Sequence, residues 1–146
     1  MVRSSRVREA VPRPPSRRLG EGVSITENER VVRAFVAAWS RLDPTELASY
    51  FTEDGTYHNM PMGPVTGRAN VEQLIRGFTA AWTGTEWELR HVVARGDLVF
   101  AERVDRTRAG EKAVDLPCLG VFELENGRIK VWRDYFDLAT YAAGLG

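Results

Sequence analysis

The 146-residue sequence lacks the features that mark several classes of protein. It has a single cysteine, Cys118, so no disulfide can form within the chain, and we expect a reducing, cytoplasmic location. No apolar run approaches the roughly 18–20 residues that a membrane-spanning helix needs. The basic N-terminus is not followed by an apolar stretch, so it does not resemble a secretory signal. We therefore expect a soluble domain without membrane partners.

An excess of charge of one sign is also missing, because twenty basic residues balance twenty acidic ones. Nucleic acid is therefore not an expected partner of the whole chain. The balance conceals a basic segment, residues 1–22, which has six arginines and two glutamates and a net charge of +4. Its prolines and glycines interrupt any regular element. We interpret it as a flexible tail (a solvated extension, the product of an upstream translation start, or a nucleic-acid or partner arm) before a single domain over residues 23–146.

Capping patterns followed by apolar residues at helical spacing predict three helices early in this domain. Thr26 and Glu29 form a capping box for the first helix, which presents an apolar stripe on one face. Asp43 and Pro44 begin the second helix as its cap and first-turn residue. The third helix is predicted over residues 68–82.

The hydrophobic period then changes to that of β-strands. A short strand over residues 56–60, between a turn at 53–55 and an irregular segment at 61–67, already precedes the third helix. Four longer runs follow it, at residues 86–94, 98–107, 113–124 and 128–136. Turn residues separate these runs, and Asn126-Gly127 is the strongest hairpin signal among them.

Helices placed before an antiparallel meander favour an α+β fold rather than alternating β-α units. A curved mixed sheet wrapped around a long helix would enclose a cavity. This arrangement is the cone of the nuclear transport factor 2-like folds, which is the fold we predict.

Polar residues occupy several positions where strand alternation expects core residues. Arg103 and Asp105 continue a strand face that begins with apolar residues, and Asp134 lies between two aromatic residues on its face. Tyr57 and Asn59 share one face of the short strand. Alternation alone leaves another interpretation open: a surface ion pair worth less than ~1 kcal/mol, with Asp134 capping a sheet edge or the final helix.

If these faces turn into one cavity, two carboxylates and one guanidinium meet there. Ionising both carboxylates would leave uncompensated negative charge in a low dielectric, so sharing one proton costs less free energy. One aspartate could then donate a proton while the other accepts one, as general acid–base catalysis at neutral pH requires. Tyr57 and Asn59 would add a hydroxyl and an amide able to hold a water molecule.

Other catalytic arrangements have less support in the sequence. His58 and His91 lack a metal-type spacing with other ligands, so no metal site is expected. Cys118 lies on a predicted strand and has no histidine placed to activate it, which is typical of a small core residue. Glycine-rich phosphate loops and the Gly-x-Ser-x-Gly elbow do not occur in the sequence.

The motifs around these polar residues resemble, in one order, those of the limonene-1,2-epoxide hydrolase family. They are Tyr57-His58-Asn59-Met60-Pro61, Glu102-Arg103-Val104-Asp105, Leu119-Gly120-Val121-Phe122-Glu123-Leu124 and Trp132-Arg133-Asp134-Tyr135-Phe136-Asp137-Leu138. Gly67-Arg68 with Val71-Glu72-Gln73 also matches the start of the family's third helix. The resemblance runs from about Glu29 to Leu138, and the motifs are specific jointly rather than singly.

This resemblance implies an enzyme that adds water to an epoxide in one step, giving a vicinal diol without a covalent intermediate or a cofactor. Asp134 matches the base that takes a proton from the attacking water, which Tyr57 and Asn59 also hold. Asp105 matches the acid that protonates the epoxide oxygen, and Arg103 matches the residue that bridges the two carboxylates. Family members are commonly homodimers that pair through the outer face of the sheet.

The resemblance further places seven residues along a cavity for a small apolar epoxide: Val36, Trp39, Phe78, Trp82, Leu116, Cys118 and Phe136. Trp39 and Trp82 are bulkier than is usual at their positions, whereas Cys118 is small. The terpene in the family name is therefore not assumed to be the substrate of this chain.

Two other functions remain open on the sequence. A ketosteroid-isomerase or polyketide-cyclase relative would share the fold, but those reactions need one base and an oxyanion stabiliser rather than an arginine between two aspartates. A non-catalytic binding module is the second alternative, because one fold hosts many functions. Such a module has no reason to enclose the five polar residues in a pocket.

Overall fold

The computed structural model describes residues 25–146, so the predicted basic tail at 1–22 lies outside the described residues. The described elements follow the chain in this order: α1 (Glu27–Ala38), a 3-10 helix (Trp39–Arg41), α2 (Pro44–Ser49), β1 (Phe51–Asn59), β2 (Val65–Thr66), α3 (Arg68–Thr79), β3 (Gly84–Arg95), β4 (Leu98–Ala109), β5 (Lys112–Glu125), β6 (Arg128–Tyr135) and α4 (Leu138–Leu145).

Both predicted helix caps are present. The Thr26 side chain accepts a hydrogen bond from the Glu29 N–H, and the Asp43 carboxylate accepts from two N–H groups in the first turn of α2. The third helix ends at Thr79 rather than at 82. The Thr79 hydroxyl donates a hydrogen bond to the Ile75 carbonyl. The Trp82 N–H donates to the Thr79 carbonyl, three residues earlier, and so closes a turn instead of continuing the α-helix. Within residues 25–146, no helix is long and apolar enough to cross a membrane.

The strands form one six-stranded sheet in the order β2-β1-β6-β5-β4-β3. Strands β3 to β6 make the predicted antiparallel meander, whereas β1 pairs with β6 in parallel and so makes the sheet mixed. Asn126 and Gly127 have φ of 49° and 74°, the left-handed conformation that a two-residue hairpin requires at both central positions. The α+β prediction is confirmed.

Strand β1 corrects the prediction for the segment before α3. It begins at Phe51 and contains residues 53–55, which were predicted as a turn. The pairing with β6 shifts between Phe51 and Thr56, so residues 53–55 form a bulge within the strand. Two of the residues predicted as irregular, Val65 and Thr66, pair with β1 as the short edge strand β2.

The core lies between α1 and the concave face of the sheet, where aromatic side chains meet. Phe35 of α1 packs edge-on to Trp132 of β6, with 5.0 Å between ring centroids. Tyr57 of β1 stacks on the same indole at 4.2 Å, and Trp39 stacks on Trp87 of β3 at 4.2 Å. Such offset and edge-on ring contacts add to the burial free energy and fix side-chain orientation. They hold the inner faces of β1, β3 and β6 in place beside the polar residues.

Candidate active site

Three strands carry the five predicted polar residues to one place on the concave face of the sheet. Arg103 and Asp105 lie two residues apart on β4, so both side chains leave the same face. Asp134 lies on β6, where the parallel register pairs it with Asn59 of β1, and Tyr57 lies one alternation before Asn59. All five residues are buried. The structure therefore brings together every polar residue that strand alternation singled out.

Arg103 lies between the two carboxylates and donates two hydrogen bonds to each, side-on to Asp105 and end-on to Asp134. Its Nε and Nη2 donate to Asp105 Oδ1 and Oδ2 at 2.8 and 3.0 Å. Its Nη1 and Nη2 donate to Asp134 Oδ1 and Oδ2 at 2.8 and 2.6 Å. These bidentate, charge-assisted pairs fix the distance and the relative orientation of the carboxylates.

The guanidinium is also confined by aromatic rings. Its Cζ lies 4.3 Å from the centroid of the Trp87 ring and 5.5 Å from that of Trp132. The Arg103 side chain has no exposed surface. Contact with an indole face stabilises a desolvated cation that water no longer reaches. Because two carboxylates and two indole rings contact the guanidinium, it has little freedom to move.

Two carboxylates beside one cation leave the buried cluster one negative charge in excess when both are ionised. Burial is the main reason that the pKa of Asp105 rises to about 6; Arg103 lowers this pKa, and the neighbouring Asp134 raises it. Burial likewise raises the pKa of Asp134, while Arg103 opposes this. Burial would lower the pKa of Arg103, but the two aspartates hold it well above its ordinary value. The arginine thus stays charged, and the free energy favours one proton on the carboxylate pair.

Two neighbours of the pair stay neutral for the same physical reason. Burial raises the pKa of Tyr57 well above its ordinary value, so its hydroxyl remains a hydrogen-bond donor as well as an acceptor. Burial also raises the pKa of Cys118, whose Sγ lies 3.4 Å from Asp105 Oδ2. A thiol kept protonated is a poor nucleophile.

The carboxylate and thiol groups of Asp105, Cys118 and Asp134 approach within 4.8 Å of one another, close enough to hold a metal ion. The Arg103 guanidinium, however, already lies between the two carboxylates and donates to all four of their oxygens. A metal ion would have to displace those hydrogen bonds and would be repelled by the guanidinium charge. Among the described residues, this cluster therefore fits its arginine better than a metal.

Above the carboxylates lies a cavity of about 200 Å³ with a mainly apolar lining. It is lined by Tyr57, Asn59, Met62, Phe78, Trp82, Trp87, Asp105, Leu116, Asp134, Phe136, Leu138 and Tyr141. Four of the seven residues predicted to bind substrate are among them: Phe78, Trp82, Leu116 and Phe136.

The other three predicted pocket residues do not line this cavity. Val36 and Trp39 are buried in the core, because α1 and the 3-10 helix turn them toward the sheet. Trp39 stacks on Trp87 from behind, so it supports the cavity wall without forming its surface. Cys118 is buried on β5, where its Sγ contacts Asp105 Oδ2, and it does not reach the cavity surface.

Four lining residues were not predicted from the sequence: Met62, Trp87, Leu138 and Tyr141. Strand alternation could have found Trp87, since the β3–β4 register pairs it directly with Asp105. Leu138 and Tyr141 belong to α4, a helix for which no bounds and no role in the cavity were predicted. Tyr141 accepts a hydrogen bond from Trp82 Nε1 at 3.3 Å. Helix α4 therefore closes the cavity on the side of α3.

Comparisons with known proteins place this geometry in a family. The family model for the limonene-1,2-epoxide hydrolase catalytic domain matches residues 26–145. Epoxide hydrolase EphG of Mycobacterium tuberculosis is 32% identical over 114 residues, which are 78% of this chain and 76% of that protein.

Solved structures agree with the sequence relatives. An LEH-like epoxide hydrolase of Mycobacterium tuberculosis has a TM-score of 0.71 and 32% identity, with 82% of this chain and 89% of that chain covered. An NTF2-like protein of Burkholderia pseudomallei has a TM-score of 0.74 at 20% identity, over 83% of this chain and 98% of that chain, which supports the fold alone. The nuclear transport factor 2-like fold is thus confirmed, and the chain belongs to the limonene-1,2-epoxide hydrolase family.

Proposed function

We propose that this chain hydrolyses an epoxide to a vicinal diol in one step, by paired acid and base catalysis. Membership of the family supports epoxide hydrolysis in general. One observation supports the mechanism: a fully buried arginine bridges two buried carboxylates at the floor of an apolar cavity. Such a pair, with one proton between its members, can donate and accept protons in the same turnover.

In the proposed reaction Asp134 is the base. It is paired in the sheet with Asn59, and both residues line the cavity with Tyr57. A water molecule held by the Tyr57 hydroxyl, the Asn59 amide and the Asp134 carboxylate would have its oxygen directed into the cavity. Asp134 takes one proton from this water while the water oxygen forms a bond to an epoxide carbon.

Asp105 is the acid in the same step. As the carbon–oxygen bond of the epoxide breaks, the opening oxygen takes the proton that Asp105 carries. Asp134 ends the step protonated and Asp105 ionised, so the pair holds one proton before and after the reaction. Arg103 contacts both carboxylates throughout and stabilises whichever one is charged. The proton then passes from Asp134 back to Asp105 before the next turnover, so each cycle consumes one epoxide and one water, and the balance closes without a cofactor.

The cavity supports a small apolar epoxide as substrate. Its volume of about 200 Å³ and its aromatic walls suit a compact hydrocarbon skeleton rather than a charged one. Limonene oxide, the substrate in the family name, is not proposed for this chain, because Trp82 narrows the cavity from the α3 side.

The test is diol formation from a panel of cyclic and linear epoxides, followed by a single turnover in heavy-oxygen water. We expect one heavy oxygen in the diol and none in Asp105 or Asp134, because the water attacks carbon directly. Label in either carboxylate would mean a covalent ester and would contradict the one-step mechanism. Proton exchange on a steroid ketone, without diol formation from any epoxide, would favour the isomerase alternative.

Three further predictions stay proposals. Residues 23–146 are proposed to form a single domain preceded by the basic tail. A homodimer through the outer face of the sheet is proposed from the family resemblance. A cytoplasmic location is proposed because the single cysteine, Cys118, is a free thiol.

A further inference from the structure

Arg103 reaches Asp134 only by crossing a whole strand. Arg103 lies on β4 and Asp134 on β6, and β5 lies between them in the sheet. Because neighbouring strands are about 4.8 Å apart, the guanidinium must extend over the full width of β5. The register places Cys118 of β5 opposite Arg103 and Gly120 opposite Asp134. The arginine therefore passes over these two positions on the buried face.

Gly120 leaves this crossing open because it has no side chain. A Cβ at this position would lie 2.9 Å from Arg103 Nη1, 2.7 Å from Phe122 Cε2 and 3.0 Å from Trp132 Nε1. All three distances are shorter than ordinary van der Waals contact. The φ of Gly120 is not among the positive values found in this chain, so the backbone conformation itself does not require glycine. The requirement is for space.

The guanidinium cannot easily give way to such a Cβ. Trp87 and Trp132 close on it, and four hydrogen bonds hold it. The group nearest the added carbon, Nη1, is the one that donates to Asp134 Oδ1 at 2.8 Å. A methyl group at position 120 would therefore displace one of the two hydrogen bonds that join the arginine to the proposed base.

We propose that Gly120 is a positioning residue, whose missing side chain provides the path by which Arg103 crosses β5 and aligns the two carboxylates. This inference rests on the proposed function. Gly120 does not line the cavity, so it acts through Arg103 rather than on the substrate.

Gly120→Ala tests the proposal against a matched glycine. We expect kcat to fall about 100-fold, the cost of a small misplacement of a catalytic group, with KM within about two-fold of the wild-type value. Gly84→Ala is the control, because Gly84 also lies on a strand, has no positive φ, and would have nothing within 4 Å of its Cβ. If the wild type forms diol and Gly120→Ala has the same kcat, the inference is overturned. If the wild type itself forms no diol, the proposed function is overturned.

The pH profile separates positioning from a general loosening of the core. The hydrogen bond from Arg103 lowers the pKa of Asp134, so its loss should raise that pKa. The other ionisable groups facing Asp134, namely Asp105, Cys118 and Tyr57, are unchanged in the variant. We expect the acidic limb of kcat/KM to move to higher pH in Gly120→Ala but not in Gly84→Ala. A lower Tm with an unmoved limb would mean a purely structural role and would contradict the proposal.

A second variant covers the case in which Gly120→Ala folds poorly. Phe122→Leu removes the atom that the new Cβ would approach most closely, and it leaves Arg103 untouched. We expect Phe122→Leu alone to keep most of the wild-type kcat. The Gly120→Ala/Phe122→Leu double variant should fold but keep a reduced kcat. A double variant as fast as Phe122→Leu would show that the clash concerns Phe122 only, which would overturn the proposal. The Arg103 Nε–H resonance, which needs no substrate, should shift in the double variant and stay in Gly84→Ala.

Discussion

Asp105 and Asp134 share one arginine and, in the proposed mechanism, one proton. Asp105→Asn cannot give a proton to the opening oxygen, and Asp134→Asn cannot take one from water. Each change should lower kcat by about 10²–10⁴-fold, the usual contribution of a general acid or base. The double variant should be scarcely slower than either single variant, because residues that act as a unit are not additive. Steady-state rates of the three variants check this, and fully multiplicative losses would mean that the two aspartates act separately.

The same cluster makes folding stability depend on pH. The folded protein raises the pKa of Asp105 to about 6 from an ordinary value near 4, mainly through burial. The folded state thus binds this proton more tightly than the unfolded state does. The resulting stabilisation is complete below about pH 4 and is lost as the pH rises through about 6. We therefore expect the free energy of unfolding of the wild type, relative to Asp105→Asn, to fall between pH 4.5 and 7.5.

Urea unfolding of both proteins across that range measures the difference. Asp137→Asn is the control, because hydrogen bonds from Thr140 lower the pKa of Asp137 and place its titration below the range. Its stability relative to the wild type should stay constant there. A difference between wild type and Asp105→Asn that does not change with pH would mean that Asp105 keeps an ordinary pKa in the folded state.

At the scale of elements, the turn between α3 and β3 sets the width of the cavity. Trp82 lies in this turn, faces the cavity, and donates a hydrogen bond to Tyr141 of α4. Trp82→Ala removes an indole from the wall, so relative rates across a size series of epoxides should shift toward bulkier members. Trp39→Phe is the control, because Trp39 is equally aromatic but lies in the core behind Trp87. Equal selectivity in all three proteins would contradict a role for Trp82 in substrate choice.

The elements that the sequence predicted correctly are those with local signals. The caps at Thr26 and Asp43 and the Asn126-Gly127 turn depend on residues within a few positions of one another, and each is present. Alternation on β4 and β6 was equally local, which is why Arg103, Asp105 and Asp134 could be named from residue order.

What the sequence did not predict depends on distant pairings. Residues 53–55 have the composition of a turn, but pairing with β6 holds them in a bulged strand. Trp39 matches a cavity position of the family, but in this chain its ring stacks on Trp87 of β3 in the core. Tyr141 lines the cavity only because α4 folds back toward Trp82, 59 residues earlier in the chain. The need for a bare position at Gly120 likewise depends on two neighbouring strands.

At the scale of the whole molecule, the outer face of the sheet is the surface that most needs an explanation. Large apolar side chains are exposed there on four adjacent strands: Val93, Phe100, Leu119 and Tyr135. The registers pair Val93 with Phe100, and Leu119 with Tyr135. Phe100 is opposite Val121, two residues from Leu119 on β5, so the two pairs lie next to each other and form one patch. Contiguous exposed apolar surface on a sheet is typical of an interaction site.

We predict that this patch pairs two copies of the chain, as proposed from the family resemblance. Phe100 lies within the patch and is 42% exposed, so Phe100→Glu should place a charge in the interface and shift the dimer toward monomer. Ile25→Glu is the matched control, because Ile25 is 45% exposed but precedes α1, which packs on the opposite, concave face of the sheet. Sedimentation velocity over a range of concentrations measures the change. A wild type that stays monomeric, or a Phe100→Glu variant that dimerises like Ile25→Glu, would contradict the interface, and neither result would bear on the cavity on the opposite face.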